Sequence, residues 1–162
     1  MIREEAYADA RAETLLFLAR RFGAWLLSVA VTYLLASVTA TQSVVNALTR
    51  MGLDIPIGER LAMTGQDIIG MASMFLPMVA FALLIAFMTS ALLCRWLSRW
   101  RLPLYLLAGA VAVVCIHLGL NLAFGITPVA IARTAGGLLL QALAGAAGGF
   151  TYLFLTRRHA LD

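Results

Sequence analysis

Apolar residues run along this chain in four long blocks, at 22–41, 67–93, 103–125 and 134–156. Each block is long enough for an α-helix to cross the hydrocarbon of a bilayer, which takes about 20 residues. Polar segments at 42–66, 94–102 and 126–133 separate them, with 1–21 ahead and 157–162 behind. The pattern predicts an all-α fold: one transmembrane domain, 1–162, built as an integral membrane four-helix bundle with an N-terminal cytoplasmic or interfacial helix.

Local chemistry sets the expected boundaries. Segment 1–21 carries acid first (Glu4, Glu5, Asp9, Glu13) and base last (Arg20, Arg21), an order that suits the helix dipole. Its apolar character rises at Leu15, Leu16, Phe17 and Leu18. The segment therefore either lies on the membrane surface or extends the first span, since no breaker intervenes before Gly23. The apolar run starts at Phe22, too late for the core of a cleavable signal. Segment 42–66 is expected as an outer loop, because Gly52, Pro56 and Gly58 punctuate it. Leu53, Ile55, Ile57 and Leu61 are too apolar for a free loop, so part of it is expected to pack on the membrane surface. The first helix also has the option of continuing to Met51, with Gly52 as its stop. Pro77 predicts a kink in the second span. Pro103 and Pro128 suit the first turns of the third and fourth spans, with Thr127 as a cap.

Composition changes the picture from a buried core to a membrane. Hydrophobic residues make up 62% of the chain and charged residues 12%, about half the charge of a soluble domain. The net charge of +4 comes from arginines dispersed near helix ends, without the basic, aromatic-interleaved patch of a nucleic-acid binder. Nine of them (Arg3, Arg11, Arg20, Arg21, Arg95, Arg99, Arg101, Arg157, Arg158) fall on the side of the termini, and three (Arg50, Arg60, Arg133) on the other. The positive-inside rule then predicts cytoplasmic termini, with a bacterial inner membrane as the natural setting. Arg95, Trp96, Arg99, Trp100 and Arg133 are expected as interface anchors.

The fourth block is unusually poor in side chains. Gly137, Gln141, Gly145 and Gly149 fall four apart, with Gly148 beside them, so they share one helix face. Such a face lets a second helix approach the backbone, where van der Waals contact replaces the hydrophobic effect. These glycines are predicted to form a packing seam, with Gln141 as its polar contact.

Candidate chemistry is sparse. No Asp or Glu falls in the middle of a span, which argues against a proton-driven pump, an intramembrane aspartyl peptidase and a diiron centre. Ser–His–Asp groupings, phosphate-binding glycine loops and paired histidines are missing from the sequence as well. Cys94 and Cys115 form no metal-binding or disulfide pattern. Met71, Met74 and Met78 share a face that is read as packing rather than copper binding. His117 alone would supply only one haem ligand. No cofactor and no metal are expected.

The remaining polar groups cluster by depth. Counting from the span centres, His117 lies roughly 4–5 Å outward, Asn121 roughly 10 Å and Gln141 roughly 6 Å. Ser73 and Thr39 also fall in the outer half. These five either line a small outward-facing polar cavity or make interhelical hydrogen bonds. The expected function is that of a small non-catalytic subunit or scaffold of a membrane assembly. The alternative is a homo-oligomeric channel, carrier or binding protein using the cavity. A lipid enzyme built on His117, Asn121 and Arg133 lacks a general acid or base carboxylate. Expected partners are membrane lipids and other membrane chains or copies of itself, not nucleic acid.

Overall fold

The computed structural model describes residues 2–124, 131 and 134–157. The chain forms an all-α four-helix bundle: α1 Ile2–Arg50, α2 Ile57–Cys94, α3 Arg101–Phe124 and α4 Ala135–Arg157, with one 3-10 turn, Ser98–Trp100, ahead of α3. α1 packs on α2 and α4, and α3 packs on α2 and α4. The helices thus stand in a square, with α1 diagonal to α3. All four are long and apolar enough to cross a membrane.

Of the two forms expected for 1–21, the chain takes the extension of the first span: α1 is one helix of 49 residues, about 74 Å long at 1.5 Å per residue. Gly23 lies within it and does not break it. The outer connection differs from the expected loop at 42–66: it shrinks to Met51–Pro56, because α1 continues to Arg50 and α2 begins at Ile57. The polar residues that resembled loop signals join α1 to α2 instead. Thr41 donates to the Asp67 carboxylate at 2.8 Å, and Gln42 donates to Thr64 at 3.1 Å.

The shortened turn has its own chemistry. Gly52 takes φ +89°, where a side chain is strained. The Leu53 amide reaches back to the Leu48 carbonyl and the Gly52 amide to Thr49. This pair of bonds is the Schellman closure of a helix C-terminus. Arg60 then ties the turn from the other side, donating from Nε to the Ile55 carbonyl at 3.1 Å and from Nη2 to Thr49 Oγ1 at 3.2 Å. α2 continues through Pro77 without interruption. Thr127, Pro128 and Arg133 lie outside the described residues.

Packing is uneven around the square. α4 meets α3 backbone to backbone and α1 through small hydroxyl side chains. A Cβ on Gly145 would collide with the carbonyl of Gly109 on α3, and one on Gly149 with the carbonyl of Tyr105. On the α1 side, the Thr32 hydroxyl fills the space a Cβ would take at Gly148, and Ser28 donates to the Gly148 carbonyl. α2 is held more loosely. Only 17% of its most apolar window is buried, against 33–39% for the other helices. It contributes a single apolar stripe, Phe75, Val79, Leu83 and Phe87, each four residues from the last and so on one helix face. Phe87 joins Tyr105 and Tyr152 in an aromatic cluster, with centroids 4.6–5.7 Å apart, within the range of favourable ring contacts.

Candidate functional site

Gln141 is the polar centre of the bundle. It is 0% exposed and projects from α4 into the space between α1 and α3. Its Nε2 donates to the Ala36 carbonyl at 3.0 Å and to Thr39 Oγ1 at 3.3 Å. Thr39 can accept because its own hydroxyl hydrogen turns back to the Leu35 carbonyl at 2.7 Å. Both amide hydrogens of Gln141 therefore serve α1, leaving Oε1 for α3. There His117 Nε2 stands 3.5 Å away, a long contact that assigns Nε2 the donor role. One side chain links three helices.

His117 is 2% exposed, and its ring lies 5.8 Å from that of Phe75. Its Nδ1 has no hydrogen-bond partner. Thr32 Oγ1 and Ser37 Oγ, both on α1, are likewise buried and unpaired. Buried polar groups are normally satisfied, and these three atoms, with Trp25 Nε1, are exceptions within the bundle. The cluster holds no carboxylate. Among the described residues no group of three His, Cys, Asp or Glu side chains is placed to hold a metal.

The residues expected to share the polar level separate here. His117, Gln141 and Thr39 come together, whereas the side chains of Ser73 and Asn121 are exposed. Depth along a helix can be counted, but the facing of a residue depends on how the helix is rotated. Ser28, Thr32 and Ser37 on α1 are also buried, a facing that no one spacing in the sequence singles out. Gly109 is the other omission. It is one glycine among leucines and alanines, without the repeated spacing that made the α4 glycines visible.

The glycines serve the fold itself. Gly145 and Gly149 meet α3, Gly148 meets α1, and a Cβ on Gly137 would strike the Ile131 carbonyl. The α4 face is thus occupied within the chain. Arg95, Trp96, Arg99 and Trp100 are exposed around the α2–α3 turn.

An apolar surface lies open between α2 and α3. A groove of about 840 Å³ opens there, with Ala82, Ala86 and Ser90 from α2 facing Ala108, Ala112 and Cys115 from α3. Phe81, Ile85 and Val111 also line it. Ala112 and Ser90 are buried, while Cys115 is exposed.

These features define a four-helix bundle of membrane-spanning dimensions with a closed polar centre and an open apolar groove. Comparison with protein-family models, with curated proteins and with solved structures finds no match to this chain.

Proposed function

We propose that this chain is a small non-catalytic membrane-spanning subunit, and that its α2–α3 groove receives a transmembrane helix of another chain. The observation that carries this reading is the contrast between the two halves of the bundle. α4 is closed against α3 by backbone contact and against α1 by the Ser28 and Thr32 hydroxyls, whereas α2 and α3 leave a groove in which Ala82, Ala86, Ser90, Ala108 and Ala112 stand among Phe81, Ile85 and Val111. Small residues let an apolar helix approach closely in lipid, where packing drives association. The bundle stands in a bacterial inner membrane with both termini cytoplasmic, an orientation supported by the nine-to-three distribution of arginines.

Cys115 provides the test. It is exposed and lines the groove. A photoreactive group attached there in native membranes, with Cys94→Ser removing the second thiol, captures a single polypeptide of constant mass on this reading. The filled-groove variant Ala86→Phe/Ala112→Phe abolishes that adduct. Labelling of lipid alone in both forms contradicts the reading.

A second reading is favoured by the buried, unpaired His117 Nδ1, together with the unpaired hydroxyls of Thr32 and Ser37 elsewhere in the interior. On it, the chain binds a small polar molecule in its interior. Loss of bound ligand in His117→Leu, with folding intact, supports that alternative.

A further inference from the structure

Three helices change from charged to apolar at one place. On α1, Arg20 and Arg21 immediately precede Phe22, where the apolar run begins. Arg101 opens α3, and Thr156 lies one residue from the end of α4. Arg20, Arg21, Arg101 and Thr156 line a common cleft of about 620 Å³, together with Glu13, Leu16, Phe17, Leu27 and Leu155. The cleft thus sets a group of cations among apolar side chains.

Its electrostatics select the ligand. Three guanidinium groups stand against one carboxylate, an excess of two positive charges. Arginine's planar fork matches phosphate oxygens in pairs. Arg21 is also held in place, with its guanidinium carbon 4.5 Å from the centre of the Phe17 ring, a cation–π distance. Arg101 is half-buried, so its charge is less screened than that of a free surface residue.

The apolar lining selects an amphiphile over a free anion. Leu27 follows Arg21 by six residues, about 9 Å deeper along α1. Leu155 lines the same cleft from α4, so an alkyl chain has apolar side chains of two helices beside it. We propose that this cleft binds an anionic phospholipid, its phosphate among Arg20, Arg21 and Arg101 and one acyl chain along Leu27 and Leu155. The inference rests on the membrane-spanning reading but not on the groove or its partner.

The test uses the full chain in detergent, with native mass spectrometry counting retained lipid. Phosphatidylglycerol and phosphatidylcholine are the two probes. One phosphatidylglycerol per chain is expected to stay bound, with phosphatidylcholine lost. Each of Arg20→Gln, Arg21→Gln and Arg101→Gln weakens retention about fivefold, the worth of one cation at an anionic surface. The exposed pair Arg95→Gln/Arg99→Gln, outside the cleft, leaves retention unchanged, and a melting curve for each variant confirms folding. Equal retention of the two lipids overturns the proposal. So does an equal loss in the Arg95/Arg99 variant, which would mean general surface charge. Displacement of the lipid by millimolar inorganic phosphate overturns it too, by assigning the cleft to a small anion. Alkaline washing of vesicles separates the premises: a chain that washes out overturns the membrane-spanning reading itself, whereas one that stays while retaining both lipids equally overturns only the lipid site.

Discussion

Gly109 of α3 and Gly145 of α4 meet backbone to backbone, each placing its carbonyl where the other would carry a Cβ. The contact is reciprocal, so neither helix can accept a methyl group without moving the other. Gly149 against Tyr105 repeats it one turn along. Together these fix the distance between α3 and α4 and thereby place His117 beside Gln141.

A methyl at this contact is expected to destabilise the bundle. Gly109→Ala and Gly145→Ala should each cost about 1–3 kcal/mol, the usual range for overpacking. The double variant should cost less than their sum, because both open the same contact. Gly119→Ala on the same helix has open space and should change stability by no more than about 0.5 kcal/mol. Reversible unfolding in mixed micelles measures all four.

Gln141 and His117 should behave as a coupled pair. Gln141→Leu removes two hydrogen bonds to α1 and leaves His117 Nε2 without its acceptor. His117→Leu leaves Gln141 Oε1 without its donor. Interhelical hydrogen bonds in membranes are worth about 0.6 kcal/mol on average, with a maximum near 1.7. A double-mutant cycle is expected to give a coupling within that range, the double variant being more stable than additivity predicts. A coupling of zero would mean that the 3.5 Å contact carries no energy.

Gly52 should resist substitution for a different reason. Nothing lies within 4 Å of a Cβ built there, but its φ is +89°. Gly52→Ala is therefore a pure backbone test, expected to cost about 1 kcal/mol. Unchanged stability would show that the turn can be redrawn without its left-handed residue.

Arg60 should act locally. Arg60→Ala removes the side-chain bonds to Ile55 and Thr49 while leaving the helix packing alone. Faster amide exchange confined to 51–56 is expected, with the global melting temperature nearly unchanged. Exchange that accelerates through α1 and α2 alike would contradict a role limited to the turn.

The four helices were legible because their apolar runs are long and have no competing period. His117 and Gln141 were legible because a polar group within such a run must find a partner. The α1–α2 connection was not, because Thr41, Gln42, Thr64 and Asp67 resemble surface residues when read singly. Their meaning lies in pairs 22 and 26 residues apart. Ser73 was expected in the outer polar group, yet it is exposed. Gly109 carried no signal of its own, since only its position opposite Gly145 distinguishes it. The arginine cleft was hidden similarly: Arg20, Arg21 and Arg101 count only toward orientation until α1 and α3 bring them to one end of the bundle.

The central claim is that this bundle is a subunit with an open groove. A native mass spectrum of the chain, released gently from its own membrane, tests it most directly. The account predicts the 17.4 kDa chain together with another polypeptide in fixed ratio, and loss of that polypeptide in Ala86→Phe/Ala112→Phe. A spectrum containing only this chain, singly or in multiples, or a partner retained despite the filled groove, would contradict it.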